Sequence, residues 1–155
     1  MSGCKIADVT EAIAALSITG VTVKDIDEIP AIATVRDVFL FPKPDGFVSG
    51  LSVTRQSQGY TSIGAKFDID YTLTYTLATG EFGASRGATI DFYAAMVDHI
   101  VNVINAITDI SNIAGAVEIE VSGVEAFGSV LDPAGNPHPG TNITFAVKEF
   151  YEAAA

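Results

Sequence analysis

The stretch KFDIDYTLTYTL, residues 66–77, decides the fold class of this chain. Every odd-numbered residue in it is apolar or aromatic, and every even-numbered residue is polar. Strict alternation with period 2 over this length predicts a strand with one buried and one exposed face. Because threonine is a good strand former, its repetition in the stretch strengthens that prediction.

Three further strands and a turn are predicted before this stretch. Residues 21–27 begin with apolar–polar alternation, and Pro30 ends that strand because proline cannot donate to a sheet ladder. Residues 38–41 form a continuous apolar run that is typical of a buried strand. Prolines and a glycine in residues 42–46 then predict a turn. A third strand over residues 51–56 is expected to pair with the 66–77 strand as a long hairpin.

Two helices are predicted. Residues 5–17 carry apolar residues at spacings of three and four, which places them on one face of a short helix that Gly20 is expected to stop. These residues are Ile6, Val9, Ile13 and Leu16. In residues 89–108 the polar side chains fall in one narrow stripe, so the remaining apolar face is broad. Such a helix is expected to pack across a sheet.

The C-terminal part of the chain is predicted to add two strands. Residues 117–130 form a fifth strand, and the parity of its apolar residues switches at Gly123, which indicates a β-bulge there. Residues 132–140 are dense in proline and glycine and predict a turn. Residues 143–147 resume the alternation as a sixth strand, with Phe150 and Tyr151 as its possible extension.

The order of these elements predicts a fold class. A helix, several strands, one long helix and a final hairpin do not follow the alternating pattern of a parallel α/β domain. The sequence therefore predicts an α+β fold: a mainly antiparallel sheet with long hairpins, one long helix packed on the sheet and a short N-terminal helix. With 155 residues and no visible boundary, the chain is expected to form a single domain over residues 1–155.

Charge and composition exclude some classes of function. The formal net charge is −11, and such a field repels phosphate backbones, so no specific nucleic-acid binding is expected. Only 17% of the residues are charged, which favours an assembly protein that hides part of its surface against partners. The single cysteine, Cys4, suits a reducing compartment. Neither a signal peptide nor a membrane-spanning segment is expected, so no membrane partner is either.

Neither the histidines nor the glycine-bearing loop suggests a site. His99 and His138 lack a second ligand at helical spacing, so both are interpreted as surface or boundary residues rather than metal ligands. The loop over residues 79–87 contains three glycines, but it lacks both the P-loop ending and the spacing of dinucleotide-binding glycines. No metal and no cofactor are therefore expected.

Two pairs of carboxylates are candidates for catalytic groups. Glu118 and Glu120 share one face of a predicted strand, as do Asp68 and Asp70. Paired carboxylates can hydrolyse glycosides when they flank a cleft, but on a long regular strand they are usually a solvated face. We therefore expect no catalytic residues, and we expect that the protein is not an enzyme.

A subunit or partner interface is the functional surface that the sequence favours. Phe47, Tyr60 and Phe82 are aromatic residues in predicted turns and loops, where they can anchor an interface. Asp45 lies in the same turn as Phe47. Arg86 precedes the predicted long helix and suits a carboxylate of a neighbouring subunit, because a guanidinium pairs well with one.

Several segments together resemble a known family. They are GVTVKDIDEIP at residues 20–30, RDVFLFP at 36–42, PDGF at 44–47 and YTLTY at 71–75. These segments, in this order and followed by a Gly/Ser/Arg loop and a helix, resemble the tail terminator proteins of the neck of long-tailed bacteriophages. The likeness extends to about residue 110 and is looser beyond it.

The resemblance implies a structural virion protein rather than an enzyme. Such a protein forms a ring, expected to be a homohexamer, at the head-proximal end of the tail tube. The ring ends tube polymerisation and joins the tail to the head, so the implied partners are other copies of the chain, the tail tube protein and a head-completion or connector protein. Assembly would take place in the host cytoplasm, and DNA would pass through the ring without being bound specifically.

Three alternatives stay open at this point. The chain could be a head-completion or connector protein, which is also a ring, or a tail-tube subunit, which would stack without limit. It could instead be a small ligand-binding or enzymatic domain, which would need a pocket with converging polar groups.

Overall fold

The structure is a computed structural model that describes residues 4–25, 38–55, 66–79, 86–109, 118–131, 135 and 137–152. These residues form two helices and seven strands. The helices are α1 (Ile6–Ala14) and α2 (Arg86–Thr108). The strands are β1 (Val21–Val23), β2 (Val38–Pro42), β3 (Val48–Arg55), β4 (Lys66–Thr79), β5 (Glu118–Val124), β6 (Gly128–Leu131) and β7 (Pro137–Glu152).

The alternating stretch becomes β4, the strand on which the sheet is built. β7 runs antiparallel along nearly the whole of one side of β4. The other side of β4 is shared by two antiparallel strands, because β3 pairs with Phe67–Leu73 and β2 pairs with Tyr75–Thr79. The predicted antiparallel pairing of β3 with β4 is confirmed.

The outer strands complete a mixed sheet. β1 pairs parallel with β2, while β5 and β6 pair antiparallel with successive parts of β7. The strand order is β1-β2-β4-β7-β5, with β3 beside β4 and β6 beside β7. A parallel pair needs a crossover of about a dozen residues or more, and residues 24–37 supply the connection between β1 and β2.

The predicted fold class, with a mainly antiparallel sheet and one long helix, is therefore wrong. The domain is a mixed sheet of seven strands that carries two helices, so strands dominate its regular structure. The parallel pairing of β1 with β2 was not visible in the sequence, because period-2 alternation is the same in parallel and antiparallel strands. The helix that the sequence predicts over 89–108 is α2, Arg86–Thr108.

Both helices pack on one face of the sheet. The odd-numbered side chains of β4 and β7 point to that face and form one core with Val9 and Ile13 of α1 and with the buried stripe of α2. That stripe consists of Met96, Ile100, Val103 and Ile107. The opposite face is polar along most of β4, and it carries a smaller apolar cluster of Phe39, Phe41, Ala78 and Val130 at one end. No helix in the described residues is both long and apolar enough to cross a membrane.

The predicted fifth strand is two strands. β5 and β6 are separated by residues 125–127, where Thr141 donates its hydroxyl to the Glu125 carbonyl oxygen at 2.6 Å and Asn142 donates its amide to the Glu125 carboxylate at 2.9 Å. The bulge predicted at Gly123 is confirmed, since the register with β7 shifts between Val121 and Gly123.

The predicted turn at 132–140 is shorter than expected, because residues 137–140 already belong to β7. Pro137 and Pro139 pair with β6, and β4 is paired with β7 only from Gly140 onward. At these two prolines, therefore, no strand on the β4 side needs a hydrogen bond from a backbone N–H. A strand tolerates proline at such positions. Composition alone predicts a turn at Pro137 and Pro139, because proline and glycine are frequent in residues 132–140.

The N-terminal segment also differs in detail. α1 ends at Ala14, before the expected stop at Gly20. Gly20 instead lies in the turn before β1 with φ +77°, a conformation that favours glycine. β1 covers only Val21–Val23, so the predicted strand is shorter than expected: residues 24–25 are not in a strand, and residues 26–27 lie outside the described residues. Residues 56–64 and most of the loop at 79–87 also lie outside them.

Candidate functional site

The polar face of the sheet carries a row of charges across three strands. Asp70 of β4 lies opposite Lys148 of β7, and Lys148 lies opposite Glu118 of β5. One row further along, Thr72 and Glu120 flank Ala146. Side chains that are directly opposite across strands lie about 5 Å apart at Cβ. The row therefore forms a shallow acidic depression that is open to solvent.

The two glutamates of this depression share a hydrogen bond. The bond to the Glu118 carboxyl raises the pKa of Glu120, and the negative charge of Glu118 adds to the shift, while Lys148 opposes it. Both side chains are exposed. Among the residues that the structure describes, no group of three His, Cys, Asp or Glu side chains is placed to hold a metal ion. The pair is best described as a solvated acidic face, the alternative that the strand periodicity favoured.

The predicted interface residues are distributed as follows. Asp45 is exposed in the turn between β2 and β3. Phe47 is only partly exposed, since its ring meets the Tyr75 ring edge-on at 5.2 Å and its carbonyl accepts a hydrogen bond from the Thr74 N–H. Phe47 thus closes the edge of the core, while Asp45 at the same turn faces solvent.

The other three interface candidates are not brought together with these two in the described structure. Tyr60 and Phe82 lie outside the described residues. Arg86 is the first residue of α2, and its side chain is outside the described part.

Glu149 is a buried carboxylate that the sequence reasoning missed. Its side chain is fully buried on the helix-covered face of the sheet. Its carboxylate accepts a hydrogen bond from the Tyr71 hydroxyl at 2.8 Å and another from the Lys5 backbone N–H at 2.7 Å. The signal was present in the alternation, because Ile143, Phe145 and Val147 predict that the next odd residue of β7 points inward.

The N-terminal segment is tied to the sheet through this carboxylate. Burial raises the pKa of Tyr71, and the hydrogen bond to Glu149 with its negative charge raises it further. At the same place, burial and the Glu149 carboxylate raise the pKa of the Cys4 thiol. A raised pKa lowers the thiolate fraction, so Cys4 lacks the activation that a reactive thiol needs.

The two histidines have structural surroundings. The His99 ring lies against the turn before β1: a Cβ added at Gly20 would be 2.7 Å from His99 Cε1. The buried Nδ1 of His99 has no hydrogen-bond partner among the described residues. His138 is buried in β7 opposite Val130, so its interpretation as a surface or boundary residue is wrong.

Four strands leave one side without a strand partner in the described part of the chain: β1, β3, β5 and β6. The two longest of them are β3 and β5. β3 pairs with β4 alone, and all eight of its residues are exposed. β5 pairs with β7 alone, and only Ile119 of its residues is buried. The periodicity of the sequence predicted both strands, but it could not show that they end the sheet on opposite sides.

Comparisons with known proteins do not identify the function of the acidic face or of the edge strands. No model of a known protein family matches this chain, and none of the curated proteins that were searched matches it.

Proposed function

We propose that this chain is a structural virion protein, a bacteriophage tail terminator that forms a ring at the head-proximal end of the tail tube. The ring would end tube polymerisation and join the tail to the head. The observation that carries the proposal is the pair of open edge strands, β3 and β5, on opposite sides of one sheet. A subunit that contacts its neighbours through two different surfaces makes head-to-tail contacts, and such contacts can close into a ring.

The positions of the resembling segments support this proposal. The described parts of residues 20–30, 36–42 and 71–75 form β1, β2 and the middle of β4. These three strands are neighbours in the sheet. The resemblance therefore covers one contiguous part of the fold rather than scattered turns.

The acidic face of the sheet suits a wall beside DNA. Asp68, Asp70, Glu118 and Glu120 surround Lys148 on the face away from the helices. A surface of this charge repels phosphates, so DNA can pass without sticking. We propose that this face lines the channel of the ring. A ring structure with a neutral or basic channel would contradict that assignment.

The test of the proposed function is the native mass of the purified chain, measured by light scattering and accompanied by negative-stain images of the same sample. A closed ring, expected to be a hexamer, is the predicted result. Purified tail tube protein is then added. A terminator caps tubes at one end and shortens them, whereas a connector ring leaves tube length unchanged and a tube subunit joins the stack without limit. A chain that stays monomeric, and that leaves tube length unchanged, would overturn the proposal.

A further inference from the structure

We infer that the ring is closed by strand addition, in which β3 of one copy pairs with β5 of the next copy. The added β3 strand lies beneath the exposed side of α2 of the copy that provides β5. This inference rests on the proposed function, because it supplies the contact between subunits that a ring requires. It is carried by three properties of the two edges: strand direction, apolar side chains on the same sheet face, and charge.

Strand direction allows the sheet to continue from one copy into the next. β3 and β7 both run antiparallel to β4, and β5 runs antiparallel to β7. β5 and β3 therefore run in opposite directions within one sheet. A neighbour in the same orientation would present its β3 antiparallel to β5, so that the unpaired N–H and C=O groups of both edges could form one ladder.

Apolar side chains are exposed at both edges on the same face of the sheet. On β3, Val48 and Val53 lie opposite the buried Leu73 and Ile69, yet they are 39% and 58% exposed. On β5, Val121 and Val124 lie on the same face beside Phe145 and Ile143, and they are 39% and 44% exposed. The core of the domain thus ends in uncovered valines at each edge, and joining the edges would cover both sets.

The helix α2 provides a cover for such a joint. Residues of a helix advance by about 100° each, so Val97 and Val101 lie on the opposite side of the buried stripe from His99. His99 contacts the turn before β1. On the other side, α2 approaches β5, and its Tyr93 ring lies 5.3 Å from the ring of Phe127, which lies between β5 and β6. Val97, which is 48% exposed, therefore lies toward the β5 edge, and Val101, 49% exposed, lies on the same side of α2 but further from the sheet.

Charge favours a second copy as the occupant of this edge. A chain of net charge −11 repels its copies, so a contact between them must avoid acidic surface. Among the eight residues of β3, the one charge is Arg55, and the charges of β5 are Glu118 and Glu120. Lysine or proline on an edge strand usually prevents it from pairing with another chain, and neither β3 nor β5 contains either residue. Neither edge is thus protected by lysine or proline, and the β3 edge brings no negative charge to the joint. Its one positive charge, Arg55, lies on the helix-covered face, whereas Glu118 and Glu120 lie on the polar face.

The test places a lysine on one edge at a time. Val53→Lys blocks the β3 edge, and Val124→Lys blocks the β5 edge, because a charge on an edge opposes strand addition. Val97→Lys is a second block on the β5 side that leaves the strands untouched. Phe150→Lys is the matched control, since Phe150 is 55% exposed on the polar face of β7, two strands from β3 and beyond the end of β5. Far-ultraviolet circular dichroism and thermal melting establish that each variant is folded.

The expected result is that each edge variant runs as a single chain in analytical ultracentrifugation, while the wild type and Phe150→Lys run as rings. Val53→Lys mixed with Val124→Lys in equal amounts should give a particle of twice the single-chain mass and nothing larger, because each variant keeps one working edge. Folded edge variants that still form rings would overturn this inference and leave the proposed function standing. Dimers of Val124→Lys alone would overturn it in favour of pairing between two β3 strands. A wild type that never assembles would overturn this inference, and if it also left tube length unchanged it would overturn the proposed function as well.

Discussion

At the residue scale, Glu149 determines how the N-terminal segment meets the sheet. A buried carboxylate is costly unless donors satisfy it, and the donors to Glu149 include the Tyr71 hydroxyl and the Lys5 N–H. These bonds join the start of α1 to β4 and β7 in an otherwise apolar layer. The N-terminal segment is therefore held by polar bonds as well as by the packing of Val9 and Ile13.

Removing the Tyr71 hydroxyl is expected to destabilise the fold. Tyr71→Phe leaves one oxygen of the buried Glu149 carboxylate without its donor, which should lower the free energy of unfolding by about 1–3 kcal/mol. Urea denaturation at pH 7 measures the change. A double-mutant cycle with Glu149→Gln provides the control, because two groups in one hydrogen bond give non-additive losses. Additive losses would contradict the coupling.

Stability is expected to fall at alkaline pH. Burial raises the pKa of both Tyr71 and Tyr75, with the Glu149 hydrogen bond and charge adding for Tyr71 and the Asp25 charge for Tyr75. The folded state holds both phenol protons more tightly than the unfolded state. Their contribution is therefore complete below about pH 10, the usual tyrosine pKa, and is lost as the pH rises above it.

Each of the two tyrosines should contribute up to about 1.4 kcal/mol per pH unit to this decline. Denaturation curves between pH 9 and pH 11.5, in steps of about half a unit, measure the slope that linkage predicts. Tyr71→Phe and Tyr75→Phe should each make the slope shallower. A wild-type free energy of unfolding that stays constant over this range would show that the phenols do not titrate differently in the two states.

At the scale of elements, β7 has strand partners on both sides, and at Gly140 its backbone lies very close to β4 and β6. A Cβ at Gly140 would overlap the Leu77 carbonyl oxygen and would lie 2.8 Å from Val130 Cγ2. Glycine is thus required there by space rather than by backbone conformation. Gly123 in the β5 bulge is different, because a Cβ there would meet nothing within 4 Å.

This contrast gives a matched pair of alanine substitutions. Gly140→Ala should lower the free energy of unfolding by about 3 kcal/mol or more. The added methyl group would overlap the backbone oxygen of Leu77, which cannot move away as a flexible side chain could. Gly123→Ala should change it by no more than about 0.5 kcal/mol. Thermal and urea denaturation of both variants make the comparison. Equal losses at the two sites would refute the packing argument.

At the scale of the whole molecule, charge and apolar surface are separated. Acidic side chains collect on the open face of the sheet, whereas the edges and one side of α2 expose valine and leucine. Repulsion between copies therefore acts over the whole body, while attraction acts at the edges. Assembly should reflect the balance of these two forces.

Added salt is accordingly expected to strengthen the ring. Raising the ionic strength from about 20 mM to about 500 mM shortens the Debye length from about 20 Å to about 4 Å, which screens the repulsion and leaves apolar burial intact. Sedimentation at low protein concentration should show more ring at high salt. The Val53→Lys variant should remain a single chain at both salt concentrations. A ring that dissociates on adding salt would mean that ion pairs hold its joints.

Much of the strand pattern could be predicted because alternation is a local property. The period-2 run at 66–77 identified β4 and its inward face, and the change of parity at Gly123 identified the bulge. The same logic places Glu149 inward, although the possible extension of the strand to Phe150 and Tyr151 did not assign Glu149 to a face. The carboxylates of the polar face were likewise placed correctly on exposed strand faces.

Pairing is not local, and it was decided only by the tertiary structure. Three features depend on contacts between residues distant in sequence: the strands that flank β4, the parallel pairing of β1 with β2, and the open edges of β3 and β5. The same holds for the burial of Phe47 against Tyr75 and of Glu149 beneath α1. By itself, the sequence determined which residues can face a core and that the chain is strongly acidic. The tertiary structure decided which strands lie at an edge of the sheet. A strand is an edge strand only as a result of how all the other strands pair.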